Sequence, residues 1–124
     1  HPEGSSMYKF EKLEIWQLSL EYSDIIYELA DQLPKREEFN LKSQIIRATT
    51  SASLNIAEGS TGQTDPEQNR FIGMAIRSLI ETVACQHLIK RRGYIENPKI
   101  EEAYKFSEKL FAKLNAFRRA LLKT

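Results

Sequence analysis

Apolar side chains recur every three to four positions along most of the chain, the spacing of an α-helix that buries one face. The chain contains four such segments, bounded by prolines, glycines and polar capping residues, and no alternating strand pattern competes with them. The connections between the segments are short, which favours antiparallel neighbours. The pattern therefore predicts an all-α fold, an antiparallel up-down-up-down four-helix bundle.

The first segment is predicted over Lys12–Leu33 and ends before Pro34, which forces the preceding residue out of helical conformation. It carries two apolar stripes instead of one. The first stripe contains Ile15, Leu18, Tyr22, Ile25, Leu29 and Leu33, and the second contains Leu13, Trp16, Leu20, Tyr27 and Ala30. Two stripes are wider than one helix–helix contact needs, so we expect the surplus to be buried within the bundle or against another subunit.

The other three helices are predicted from the signals at their ends. The predicted N-caps are Asn40, Asp65 and Asn97, prolines follow at Pro66 and Pro98, and glycines follow the helix C-termini at Gly59 and Gly93. The middle of the second helix is rich in small and β-branched residues, which predicts a tight packing site there.

Length and composition are those of one globular domain. Residues 1–6, His-Pro-Glu-Gly-Ser-Ser, precede Met7 and are predicted to be the remnant of an expression tag, which leaves a single domain over residues 7–124. Hydrophobic residues make up 41% of the chain, and no stretch is long and apolar enough for a membrane span. A cytoplasmic protein is expected.

Charge is distributed unevenly along the chain. Residues 1–85 carry 8 basic and 13 acidic side chains, a net charge of −5, whereas residues 86–124 carry 10 basic and 4 acidic ones, a net charge of +6. The candidate nucleic-acid-binding residues are Lys90, Arg91, Arg92, Arg118 and Arg119. The alternative is that these cations are solvated and complement helix dipoles. On antiparallel helices three and four the two clusters are expected about 30 Å or more apart.

No arrangement of residues points to catalysis. A glycine-rich phosphate loop is missing, and Cys85 and His87, two positions apart on a helix, point in different directions. Cys85 is predicted to be a small core side chain and His87 a surface or interface residue. The sequence predicts no metal site and no cofactor, and we expect that the protein is not an enzyme.

Four polar residues interrupt the apolar helices: Arg47, Asn55, Glu58 and Glu81. We expect them to form a buried or interfacial hydrogen-bond network that sets helix register, because charges are rarely buried unless they are paired. A ligand pocket is the alternative, in which Glu58 and Glu81 would act as an acid pair.

Several motifs resemble those of the four-helix-bundle proteins of the 23S rRNA-intervening-sequence family. They are Phe10-Glu11-Lys12-Leu13-Glu14-Ile15-Trp16-Gln17, Ser43-Gln44-Ile45-Ile46-Arg47-Ala48, Ser51-Ala52-Ser53-Leu54-Asn55-Ile56-Ala57-Glu58-Gly59, Arg70-Phe71, Ser78-Leu79-Ile80-Glu81 and Gly93-Tyr94. The resemblance covers roughly residues 8–95. Many members have proline where Ser53 stands and a second arginine where Ile46 stands.

The resemblance implies a small all-α protein that assembles as a ring-like homopentamer and has no known enzymatic activity. Some members are encoded within insertions in bacterial large-subunit rRNA genes. The accessory protein of diversity-generating retroelements is similar, and it binds reverse transcriptase and RNA through a basic surface. Two functions therefore remain open: an oligomeric accessory factor that binds nucleic acid, most plausibly RNA, and a purely protein-binding homo-oligomeric scaffold that docks a partner enzyme such as a reverse transcriptase.

Overall fold

A computed structural model describes residues 8–62 and 64–123 of the chain. Within these ranges the helices are α1 Glu14–Asp31, α2 Leu41–Glu58, α3 Asp65–Arg92 and α4 Asn97–Leu122, with short 3₁₀ turns at Lys9–Lys12 and Lys35–Glu37. The predicted all-α four-helix bundle is confirmed. The predicted tag remnant at residues 1–6 lies outside the described residues.

Each helix packs against the next helix in sequence, and α4 packs against α1, so the four helices surround one core. Between α2 and α3, the hydroxyls of Ser51 and Ser78 are 2.9 Å apart, and Gly59 lies against Phe71. Helix α3 therefore runs back along α2. In the same way, Arg118 of α4 bonds Asn69 at the start of α3. Helices α1 and α3 lie diagonally across the core.

Two predicted helix starts are wrong by one residue. Thr64, rather than Asp65, is the N-cap of α3, and its hydroxyl accepts the backbone N–H of Glu67 at 3.5 Å. Glu96, rather than Asn97, occupies the N-cap position of α4. In both helices proline is thereby the second helical residue, where its missing N–H still needs no partner.

The ends of α2 form differently from the prediction. Asn40 stands at the N-cap position, but Glu37 Oε1 accepts the backbone N–H of Leu41 at 3.4 Å, and the Asn40 side chain donates to that same carboxylate. Gly59 ends the helix with a right-handed φ of −69°. It must be small because a Cβ there would lie 2.9 Å from the Cβ of Phe71. Gly93 ends α3 in the left-handed conformation, with φ 72°.

The core takes its apolar surface from all four helices. The first α1 stripe is buried except for Ile25, which is half-buried. The second stripe divides: Ala30 is buried and Trp16 packs edge-on against Phe10, but Leu20 and Tyr27 are 40% and 45% exposed. The chain itself therefore covers some of the apolar side chains of the second stripe and leaves the others on the surface.

A chain of hydrogen bonds crosses the core between the diagonal helices α1 and α3. Gln86 Nε2 donates to the hydroxyl of Tyr22 at 2.7 Å, and that hydroxyl lies 2.7 Å from Thr82 Oγ1. Thr82 Oγ1 donates in turn to the carbonyl of Leu79. Burial raises the pKa of Tyr22 to about 12, so its hydroxyl keeps its proton. Because apolar packing alone is non-directional, these bonds help to set which faces of α1 and α3 meet.

Ser53 stands where many members of the family that the sequence resembles have proline. Helix α2 continues through this position, and Ser53 Oγ donates to Ser19 Oγ of α1 at 3.0 Å. The serine therefore keeps its backbone N–H available to the helix and adds a buried contact between α1 and α2.

Candidate nucleic-acid interface

Four cavities lie one after another between α3 and α4, lined by successive turns of the two antiparallel helices. We refer to this series of cavities as the α3–α4 groove. All five predicted nucleic-acid-binding residues lie on these two helices, and the groove brings some of them together with side chains that the sequence analysis did not single out.

Lys90, Arg91 and Arg92 are exposed in the last turn of α3. Of the three, Lys90 lines a cavity of about 200 Å³ near one end of the groove, together with His87 and Tyr104. Glu101 lines the same cavity, so one carboxylate lies near this cluster. The three cations follow α3 to its end and do not converge on a single point.

A small polar cluster lies near the C-terminus of α3, where the connection between α1 and α2 meets the loop after α3. The hydroxyl of Tyr94 donates to Glu37 Oε2 at 2.8 Å and lowers the pKa of that carboxyl, with a smaller contribution from the charge of Arg92. Arg36 Nε donates to the Tyr94 hydroxyl at 3.2 Å, and its guanidinium lies over the Tyr94 ring. The cluster fastens the connection between α1 and α2 to the loop after α3.

Arg118 and Arg119 lie near the other end of the groove. Arg118 is half-buried, and its Nε donates to Asn69 Oδ1 at 2.8 Å, whereas Arg119 is exposed. The guanidinium of Arg118 lies over Gly73, and about 27 Å of helix axis separates Gly73 from Arg91. The two predicted clusters are thus at opposite ends of one subunit.

Two arginines that the sequence analysis missed lie beside Arg118. Arg70 and Arg77 line a cavity of about 640 Å³ with it, as do Asn69 and Gly73. Their signal in the sequence is the spacing: Arg70 and Arg77 stand seven positions apart on α3, with Gly73 between them on the same face. That spacing shows the shared face but not the helix that packs against it.

Between the two ends the groove is apolar and aromatic. Ile80, Tyr104 and Phe111 are 52%, 40% and 42% exposed, and they line a cavity of about 390 Å³ with Val83. Glu108 also reaches this cavity. The groove therefore offers ring faces in its middle and positive charge near its ends.

Of the four residues predicted to form a buried or interfacial polar network, Arg47, Asn55, Glu58 and Glu81, Asn55 alone is buried in the described part of the chain. Arg47, Glu58 and Glu81 are exposed, and the side chain of Asn55, which is buried, donates to Ser51 of its own helix at 2.9 Å. Charged groups on an outer face keep their hydration and need no buried partner. The buried network instead consists of Tyr22, Thr82 and Gln86, and Gln86 was missed although it continues the core stripe of α3.

Cys85 is buried, as predicted, and His87 is exposed and in edge contact with Tyr104. Burial raises the pKa of the Cys85 thiol, and the charge of Glu81 raises it further, so the thiolate is disfavoured. Among the described residues, histidine, cysteine and carboxylate side chains form no group of three that could hold a metal ion.

Comparison with known proteins places the chain in a family. The family model described as 23S rRNA-intervening sequence protein matches residues 11–116. The chain belongs to this family. The resemblance of the motifs in α1, α2 and α3 is thereby confirmed, and the match extends into α4.

A solved structure with the same fold supports the architecture. It is a protein with unknown function from the S23 ribosomal protein family of Bacteroides thetaiotaomicron, with a TM-score of 0.78 and 24% identity, covering 85% of this chain and 95% of that chain. No curated protein matches this chain in sequence. In residues 8–62 and 64–123, none of the helices is long and apolar enough to cross a membrane.

Proposed function

We propose that this member of the 23S rRNA-intervening sequence protein family is a cytoplasmic, non-enzymatic accessory factor that binds RNA as a homo-oligomer. The observation that carries the proposal is the α3–α4 groove, which has cations near both ends and the exposed rings of Tyr104 and Phe111 between them. Proteins that bind single-stranded nucleic acid combine positive charge for the backbone with aromatic faces on which bases stack.

The spacing of these features suits an extended strand. Tyr104 and Phe111 are seven positions apart on α4, which is about 10 Å of helix axis, and the cationic ends lie beyond them on either side. Glu108 reaches the middle of the groove and Glu101 lies at the Lys90 end, so attraction for phosphate is expected to be strongest near Arg118. Binding of this kind contacts the backbone and reads little sequence.

Assembly is proposed from the apolar side chains that the single chain leaves on its surface. They include Leu20, Tyr27, Leu54 and Leu88. Exposed apolar groups on several helices favour association of subunits, and the family resemblance favours a homopentamer. In a ring each cationic cluster repeats around the axis, so clusters that are far apart in one subunit become two basic rims.

Fluorescence anisotropy with a labelled single-stranded RNA at several salt concentrations tests RNA binding. We expect log affinity to fall linearly with log salt, by about 0.7 per phosphate contact. Charge reversal at Lys90, Arg91 and Arg92 together should weaken binding and reduce this slope. Lys12→Glu, on the 3₁₀ turn before α1, is the control and should change neither. Affinity that does not depend on salt, or no affinity, would overturn the RNA proposal.

Light scattering at micromolar concentration tests assembly, and a monomer would refute it. The second candidate function is a purely protein-binding scaffold, which the apolar middle of the groove at Ile80 and Phe111 favours. An oligomer that binds no RNA at low salt would support the scaffold over the RNA-binding factor.

A further inference from the structure

The cavity around Arg118 differs in charge from the rest of the groove. Its lining contains three guanidinium groups, those of Arg70, Arg77 and Arg118, and no carboxylate. By contrast, Glu101, Glu108 and Asp65 line the other three cavities along α3 and α4. We refer to the side chains of Arg70, Arg77, Arg118 and Asn69, with Gly73 between them, as the arginine pocket.

The pocket is built from two helices in defined register. Gly73 follows Arg70 by three positions and precedes Arg77 by four, so all three share one face of α3. The nearest guanidinium atoms of Arg118 lie 3.6–3.8 Å from the point that a Cβ of Gly73 would occupy. The Arg118 guanidinium therefore reaches from α4 to the level of Gly73 on α3, and Gly73 lies about 5–6 Å along the helix axis from the backbone positions of Arg70 and Arg77.

Side-chain contacts hold two of the three guanidinium groups. Arg118 Nε donates to Asn69 Oδ1 at 2.8 Å, and this neutral partner orients the group without cancelling its charge. Arg70 lies over the ring of Phe71, 4.8 Å from its centroid. Ordering of the donors before a ligand arrives lowers the entropy lost on binding.

The positive charge of the pocket is not neutralised by the chain. Among the described residues the ion pairs join Lys42 to Asp31 and Glu38, and Lys113 to Glu14; none involves a pocket arginine. Glu67 lies about one helical turn before Arg70 on α3, and Glu81 lies about one turn after Arg77. Both carboxylates are exposed to solvent. Three guanidinium groups that line one cavity without a paired carboxylate favour a bound anion.

We propose that the arginine pocket is a binding site for a phosphate group, held by the forked N–H donors of Arg118 and Arg77. Guanidinium groups match phosphate oxygens in geometry and bond them through two parallel N–H groups. The site itself is independent of the proposed function. Only the assignment of the phosphate to RNA, rather than to a free polyphosphate, rests on that function.

Isothermal titration calorimetry with tripolyphosphate tests the site directly. We expect saturable binding that weakens about tenfold or more in Arg118→Gln and in Arg77→Gln, because each variant removes charge-assisted hydrogen bonds. Arg47→Gln, at an exposed arginine of α2 outside the α3–α4 groove, is the matched control and should bind as the parent does. Arg77 is exposed and makes no hydrogen bond in the described part of the chain, so its variant stays informative if Arg118→Gln unfolds.

Anisotropy with the same variants and single-stranded RNA identifies the source of the phosphate. Loss of affinity for both ligands assigns the pocket to an RNA phosphate, and loss for tripolyphosphate alone assigns it to a free phosphate compound. If RNA binds to the parent but neither ligand responds to Arg118→Gln or Arg77→Gln, the pocket proposal is wrong and the RNA proposal stands. If neither ligand binds to the parent, both proposals are wrong.

Discussion

Removal of one oxygen atom from the core, in Tyr22→Phe, should measurably destabilise the bundle. The Tyr22 side chain is 1% exposed, and its hydroxyl accepts from Gln86 Nε2, whose side chain is also 1% exposed. Phenylalanine keeps the ring and its packing but leaves the Gln86 amide without this acceptor. Thr82 retains its bond to the Leu79 carbonyl. A buried donor left unpaired costs about 1–3 kcal/mol, so we expect a loss of that size in the free energy of unfolding.

Urea denaturation followed by circular dichroism gives this free energy, with all variants at one protein concentration because assembly adds to apparent stability. Tyr27→Phe is the matched control. Its ring is 45% exposed, and its hydroxyl makes no hydrogen bond in the described part of the chain. This surface change should remain within about 0.5 kcal/mol of the parent.

A double-mutant cycle with Gln86→Leu separates hydrogen bonding from packing. Gln86 Oε1 is buried and finds no hydrogen-bond partner among the described residues, so Leu at this position removes an unsatisfied acceptor as well as the donor to Tyr22. We expect the double variant to lose less stability than the two single variants together, because no amide remains to be left unpaired. Additive losses, or a Tyr22→Phe variant as stable as the parent, would refute the reasoning.

Four further predictions concern single sites. Gly73→Ala should raise the free energy of unfolding in urea by about 0.5–1 kcal/mol, because a Cβ at this mid-helix position lies 3.6 Å from Arg118, an ordinary contact. Gly59→Ala should lower that free energy by about 1–3 kcal/mol, because its Cβ would lie 2.9 Å from the Cβ of Phe71. The folded-state pKa of Glu37 lies below its ordinary value of 4.5, so its stabilisation is present above that pH and is lost as the pH falls below it. Glu37→Gln should therefore make the melting temperature less dependent on pH in that range, and an unchanged acid profile would contradict this. Cys85 should react with a thiol reagent only after denaturation, and rapid labelling of the native protein would show that the site opens.

Features that depend on neighbours in the sequence were predictable. The apolar period and the breaks near Pro34, Gly59 and Gly93 indicate four helices, and the structure has them. The first residue of a helix is harder to predict, because two adjacent residues can both be suited to the N-cap position. Thr64 and Asp65 are both good N-caps, and the difference is whether a side-chain oxygen reaches the N–H of Glu67, which depends on local backbone geometry.

Polar contacts between helices were not predictable in the same way. Arg47, Glu58 and Glu81 are conspicuous in the sequence because they are charged, yet a helix can turn such residues outward without loss of hydration. Gln86 is inconspicuous, and its burial follows from the rotation of α3 that brings it to Tyr22 of the diagonal helix. Periodicity shows which residues share a face, but the partner of that face depends on how all four helices pack.

Gly73 illustrates how packing and the proposed phosphate site constrain one position. A glycine in a helix interior lowers stability by about 1 kcal/mol relative to alanine, and φ at Gly73 is not positive, so the backbone does not require glycine. A single Cβ would make only an ordinary contact of 3.6 Å with Arg118. A longer side chain that extended toward α4 would occupy the space in which the guanidinium lies and would displace it. A small residue at this position therefore leaves room for Arg118 in the arginine pocket, whereas the backbone geometry of α3 would accept a larger one.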